Sequence, residues 1–363
     1  MQRGLLIRKA AAVVLLVLTA LLVLAWLVSP IEPVAWTPPP YSPLEGPYAP
    51  NDRLQPIEWW AKDLIGPEAI TIAADGSLLA GLKDGRIVKL KVGSDAVEVL
   101  ADTRGRPLAM EFHPDGRLII CDAHGGLMAL DSSGKLETLA TAHAGLPFRF
   151  VDDLAIAKDG TIYFSDASAR NSIERFTEEL LEHQSTGRLF KYVPATRELS
   201  RIAEGFSFTN GVALSGDESF LVVAETGTYR LWRVWLTGEH AGRKELFTDS
   251  LPGFPDNVRW SASRKGFWVA IGSPRRREVD LLADWPNVRR IVAAMPRALQ
   301  PRAARHSYVL LVDLQGKPVE SFQHEAPDSY SPIACATEHE GYLYLGSFAR
   351  EGVARFKLPE QKP

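Results

Sequence analysis

The sequence predicts an all-β fold, a six-bladed β-propeller. Three observations lead there: a strand–turn–strand unit recurs six times, its polar turns are spaced like propeller blades, and several units continue into a further apolar run. The units are ITIAADGSLLAGL, MEFHPDGRLIICDA, LAIAKDGTIYFSDA, VALSGDESFLVVAE, RWSASRKGFWVAI and CATEHEGYLYLGSF. Each is an apolar strand, a tight polar turn of the kind that closes a hairpin, and a second strand ending in small residues. Four are followed by a third run: GRIVKLKV, GLMALDS, GRLFKYV and YRLWRVWL. The turns fall at Asp75, Asp115, Asp159, Asp217, Lys265 and Glu340. The first spacings, 40 and 44 residues, match a four-stranded blade; the later ones, 58, 48 and 75, place extra material within blades three and five. A blade cannot bury both faces alone, whereas six arranged radially close a ring and protect their inner edges. The alternative, an open β-sandwich with irregular turns, does not explain six matched units.

Ahead of the repeats, residues 10–28 (AAAVVLLVLTALLVLAWLV) carry no charge and are long enough to cross a bilayer as a helix. Arg3, Arg8 and Lys9 precede this stretch and Glu32 follows it, so residues 1–28 read as a cytoplasmic N-terminus and transmembrane anchor. The propeller is then expected on the extracytoplasmic side, periplasmic or luminal. A cleaved signal peptide is the competing reading, but no A-x-A-like site follows the apolar run. Residues 29–56 hold Pro30, Pro33, Pro38, Pro39, Pro40, Pro43, Pro47, Pro50 and Pro56, which predicts an extended linker. The globular part is expected over 57–363.

Composition narrows the function. A net charge of −3 over 363 residues implies no nucleic-acid partner. Cys121 and Cys335 each sit in an apolar run and read as buried thiols rather than a disulfide. No CxxC or His-rich spacing suggests zinc or haem.

In a propeller the first strand of each blade lines the central channel, and its beginning opens onto one face. Seven residues before the turn stand Glu68, Leu108, Asp152 and Asn210 in the first four blades. In blade five Asp256 and Asn257 lie nine and eight residues before Lys265, and in blade six Ile333 lies seven before Glu340. Carboxylates and amides from several blades thus converge on one end of the channel, where burial is costly unless they are paired or metal-bound. All are hard oxygen donors, which suit Ca²⁺ and not zinc or copper. Singly, each has a plainer reading: a turn carboxylate at Glu68, a left-handed turn residue at Asn210, an Asx turn at Asp256-Asn257.

These residues, with GPE at 66–68, GRPLAM at 105–110, FVDDLAIAKDGTIYFSDAS at 150–168, TNGVALS at 209–215, FLVVAET at 220–226, LPGFPDNVR at 251–259 and YLGSF at 344–348, resemble the strictosidine synthase-like family. The wider superfamily holds paraoxonases, gluconolactonases and diisopropyl fluorophosphatase, six-bladed propellers with a central calcium. The resemblance implies Ca²⁺ ligands at Glu68, Asn210 and Asp256, with Asp152 and Asn257 as further ligands. It implies a second, structural calcium at Asp153 in paraoxonase-like members. Two departures stand out. Many relatives have Asn-Asp where this chain has Asp152-Asp153, and paraoxonases carry a histidine near the position of Leu108. His124 resembles another pocket histidine; its plainer reading is a solvent-facing turn.

The expected chemistry is hydrolysis of a small-molecule lactone or aryl ester, with Asp152 or His124 as proton acceptor and Asn257 orienting the substrate. A non-catalytic binding or scaffolding propeller and a strictosidine-type carbon–nitrogen condensation are the alternatives. Residues 273–305 have apolar residues at helical spacing among many arginines, Arg302 included, and are expected to form a helical lid on the pocket rim. A membrane-surface helix, or one simply packed on the propeller, fits the same pattern. A second rim helix is expected near 171–186.

Overall fold

A computed structural model describes residues 2–55, 57–300 and 303–360; Pro56 and Arg302, counted above, lie outside the described residues. The protein is a six-bladed β-propeller, each blade a four-stranded antiparallel sheet. The innermost strands are Ile70–Ile72, Pro107–Phe112, Val151–Ile156, Thr209–Leu214, Gly253–Ser261 and Cys335–His339. Five of the six inner-hairpin turns follow directly from their residues. Asp75, Asp115, Asp159 and Asp217 each turn Oδ1 onto the backbone N–H two residues on, at 2.8–3.1 Å. In blade six Glu340 and Gly341 both take positive φ, which a two-residue hairpin loop requires.

Blade six closes the ring in a way the repeats do not announce. Its outermost strand is Glu58–Ile65, from before blade one, paired antiparallel with Glu351–Lys357 near the C-terminal end. Apolar side chains fill the seams between blades. Val222, Val258, Val269 and Leu310, for example, bury together between blades four and five.

Blades three and five carry the insertions, each between the second and third strand. The first holds the helix Phe176–Glu182; the second holds Arg277–Asp280, Pro286–Ala294 and a 3-10 turn at Arg297–Leu299. Strands alternate in direction within a blade, so these connections emerge on the same side as the starts of the innermost strands.

The proline-rich stretch does not stand off as a free spacer. It is strapped across that same side. Val34 N–H donates to the Glu182 carbonyl at 2.9 Å, and Arg289 donates to the carbonyls of Leu181, Val34 and Ala283. Arg275 donates to the carbonyls of Pro39 and Pro40, and Trp36 stacks on His183 at 3.7 Å. Proline explains both the extension and the geometry: it cannot donate to a sheet, but its carbonyl still accepts from a guanidinium. Before the strap, one helix, Gln2–Leu27, includes a stretch (Leu6–Leu27) long and apolar enough to cross a membrane.

Candidate metal centre

Asp152, Asn210 and Asp256-Asn257 share a local feature that the sequence did not reveal. In blades three, four and five the inner pair of strands slips register between Val151 and Leu154, Thr209 and Val212, and Pro255 and Val258. The candidate residues occupy these irregularities. A bulge leaves residues unpaired and re-aims their side chains, which turns strand-start residues toward the channel end. Glycines make room beside them. A Cβ at Gly346 would fall on the Glu68 carbonyl oxygen, and one at Gly211 would meet the backbone of Asn257 and Val258.

Glu68, Asp152, Asn210, Asp256 and Asn257 are all buried, none exposing more than 7% of its surface. Arg106 donates from Nη2 to Glu68 Oε2 at 3.2 Å and from Nη1 to the Gly66 carbonyl at 3.0 Å. Burial pushes the Glu68 carboxyl up to about 7; Arg106 opposes the rise and the Asp153 charge adds to it. Asp152 is raised well above the ordinary carboxylate range, first by burial, then by the charges of Glu68, Asp256 and Asp153. Asp256 is raised likewise, by burial, Glu68 and Asp153, with the Asn210 amide pulling the other way.

These mutual effects place the carboxylates in one electrostatic neighbourhood. Among the described residues, however, no three acidic, imidazole or thiol side chains close on a common ligand point. The fit to a cation rests instead on what the donors lack. Asp152 Oδ1, Asn210 Oδ1, Asp256 Oδ1 and Asn257 Oδ1 are buried without a hydrogen-bond partner. One such oxygen costs about 1–3 kcal/mol, so four from three neighbouring blades mark a position missing a positive or donating group. Carboxylate and amide oxygens are hard ligands, and the set fits Ca²⁺.

His124 lies elsewhere. It is exposed on the rim, where its Nε2 meets Glu174 Oε1 at 2.9 Å. Leu108 occupies the blade-two position and is also buried at a register slip, among Ala123, Phe150, Ala167 and Phe208, with Ile173 and Leu180 of the blade-three insertion packed over it. Ile333 is fully buried. The channel end is therefore apolar on one flank and covered from above.

Asp153 has a different fate from Asp152. Both its oxygens are taken by Arg259, at 2.6 and 2.8 Å, and Oδ2 also accepts from Val212 N–H at 2.9 Å. The position that the resemblance gives to a structural cation holds a guanidinium. Beside it Glu111 is pushed up to about 7 by burial, partly offset by the Arg259 charge. Neither Arg106 nor Arg259 was singled out from the sequence. The available signal was an arginine two residues from a candidate position, Arg106 before Leu108 and Arg259 after Asn257. Cys121 and Cys335 are buried free thiols.

The chain matches two family models, strictosidine synthase over residues 152–239 and the N-terminal part of strictosidine synthase-like proteins over 46–90. It is 33% identical to the rat adipocyte plasma membrane-associated protein, over 91% of this chain and 93% of that one. It is also 33% identical to strictosidine synthase-like protein 6 of Arabidopsis thaliana, over 81% of this chain and 80% of the relative. Its fold is shared by a gluconolactonase from Xanthomonas campestris (TM-score 0.60, 18% identity, covering 91% of this chain and 98% of the other). A calcium-binding regucalcin from Agrobacterium tumefaciens is similar too (TM-score 0.56, 17% identity, 80% and 89% covered). With its propeller architecture and this extent of likeness, the chain belongs to the strictosidine synthase-like family, alongside the adipocyte plasma membrane-associated proteins.

Proposed function

We propose that the protein is a membrane-anchored, calcium-dependent hydrolase of lactones or aryl esters, working at the buried end of the propeller channel. The observation that carries this reading is the group of four unpartnered oxygens on Asp152, Asn210, Asp256 and Asn257 beside the Glu68 carboxylate. Glu68, Asn210 and Asp256 would hold the ion, with Asp152 and Asn257 completing its shell. When bound, Ca²⁺ supplies Lewis-acid polarisation of the ester or lactone carbonyl.

The chain's own groups do the rest. Asp152 Oδ1, buried and unpartnered, accepts the proton of the attacking water. Asn257 Nδ2, which also lacks a partner, donates to the substrate and orients it. The strap and the two insertions keep bulk water out, which strengthens every charge interaction inside. His124, exposed and held by Glu174, takes no part in this scheme. The helix Leu6–Leu27 and the plasma-membrane names of the relatives support an anchor. The basic residues ahead of that helix favour a cytoplasmic N-terminus and an extracytoplasmic propeller.

Metal analysis of the detergent-purified full chain, followed by a lactone and aryl-ester panel with and without chelator, tests the reading. Asp256→Ala is expected to lose both bound calcium and turnover; full activity in that variant would remove the proposal. A second reading is a non-catalytic binding propeller, favoured by the closed channel end and by Leu108 in its apolar cluster. It predicts calcium uptake with no turnover of any ester.

A further inference from the structure

The insertion of blade five has two faces, and only one is accounted for by the propeller. On the inner face of Pro286–Ala294, Ala293 packs with Ile31 of the strap and Leu181 of the rim helix, while Arg289 donates to Val34 of the strap, Leu181 of the rim helix and Ala283 of its own insertion. Outward stand Leu281, Trp285, Val288 and Leu299, exposed by 73%, 63%, 37% and 70%. Four large apolar side chains within one short insertion are more than the scattered exposure usual on a soluble surface. Arg276, Arg277 and Arg297 are exposed along the same segment, against Glu278 and Asp284.

What covers this crown is indicated by its neighbour. The helix Pro286–Ala294 packs against the long N-terminal helix. Contact is made at the last turn of the apolar stretch: Trp26 Nε1 donates to Asn287 Oδ1 at 2.9 Å, and the Arg290 guanidinium lies 4.7 Å over the Trp26 ring. Leu6–Leu27 is the stretch that can span hydrocarbon, so Trp26 marks the level of the interface where aromatic rings collect. A helix docked on that turn lies at the same level. Trp285 beside leucines, with arginines around them, is the composition of a segment resting in the headgroup region, where arginine stems can bury while their heads reach phosphate.

We propose that residues 276–300 seat on the surface of the phospholipid bilayer, with Leu281, Trp285, Val288 and Leu299 dipping below the headgroups. The proposal rests on reading Leu6–Leu27 as a membrane span and goes beyond the hydrolase reading. It orients the molecule: the insertion lies on the side where the innermost strands begin, so the face bearing Glu68, Asp152, Asn210 and Asp256 is turned to the membrane.

The native thiols Cys121 and Cys335 are buried, so one added surface cysteine can be labelled selectively in the full chain. Leu281→Cys and Leu299→Cys, carrying an environment-sensitive fluorophore, are reconstituted in phosphatidylcholine nanodiscs containing doxyl-labelled lipid. Leu21→Cys reports on the span, and Val319→Cys, on the outer strand of blade five, reports on a surface away from lipid. Lipid quenching at 281 and 299 is expected to be several-fold stronger than at 319, with a blue-shifted emission. Quenching at 21 with none at 281 and 299 overturns the seating. If 21 is not quenched, the span reading fails and takes the proposal with it. The measurement needs no turnover, so its outcome is independent of whether the site hydrolyses esters.

Discussion

Asp152 and Asp153 are neighbours in one strand, both buried, and they end in opposite electrostatic conditions. Asp153 has both oxygens on Arg259 and a backbone donor as well. Asp152 has an unpartnered oxygen and faces two further carboxylates that push its proton affinity up. A buried charge that the protein neutralises itself serves the scaffold. One left without a partner, at the same depth, awaits something from outside. The contrast separates a carboxylate neutralised within the protein from one in the proposed metal site more sharply than burial or residue type could.

Removing the internal cation is expected to give the largest effect. Arg259→Leu leaves Asp153 buried and unpaired, at a cost of about 3–5 kcal/mol, read as a lowered denaturation midpoint. The double variant Arg259→Leu, Asp153→Leu is expected to recover most of that loss. Failure to recover would mean that the pair does more than neutralise itself.

The unpartnered end should respond to protons and calcium instead. With chelator present, Glu68 binds its proton more tightly folded than unfolded, its carboxyl rising from 4.5 to about 7. The folded state therefore holds more protons between those values, and stability declines as pH rises from about 4.5 through 7. Asp152 and Asp256 are raised in the same direction, chiefly by burial and the charge of Glu68, and add to the decline. Urea midpoints across pH would show it, and calcium at about 100 times its Kd should return about 2.7 kcal/mol of stability. A flat profile would mean that Arg106 and the neighbouring amides already neutralise these carboxylates.

The smallest effect is expected at the rim. His124→Ala removes an exposed ion pair with Glu174, for a change of about 0.5 kcal/mol or less. Ester turnover should be unchanged, and a large loss of turnover would return His124 to the catalytic set.

The blade ruler was legible because four of its six turns share a local chemistry, an aspartate folded onto the backbone N–H two residues on. That ruler set Glu68, Asp152 and Asn210 at matched positions of their blades, with Asp256 two residues off it. Their bulges could not be read, because a register slip depends on the partner strand rather than on the strand that carries it. The Arg259–Asp153 pair spans 106 positions, and no local pattern announces a contact at that separation. The strap misled for a related reason. Prolines at 30–50 forbid α-helix and central strand, leaving one 3-10 turn at Gly46–Tyr48, but whether an extended chain floats or docks is settled by acceptors offered to Arg275 and Arg289 far along the sequence. His124 shows the converse: the resemblance suggested a pocket histidine, whereas the plainer reading was a solvent-facing turn, and the structure has it exposed on the rim beside Glu174 of the insertion.

The sixth blade has a consequence in time. Its outermost strand, Glu58–Ile65, is among the first parts of the domain to be synthesised, and its partner Glu351–Lys357 among the last. Until the partner emerges, that early strand and the open flank of blade one have nothing to pair with, although a helix able to enter the membrane precedes them. Ring closure across nearly the whole chain is the kind of long-range pairing that folds slowly. The nascent protein thus passes through an interval in which its earliest strand has no partner. An unpaired strand of that kind is open to wrong pairing for as long as the interval lasts.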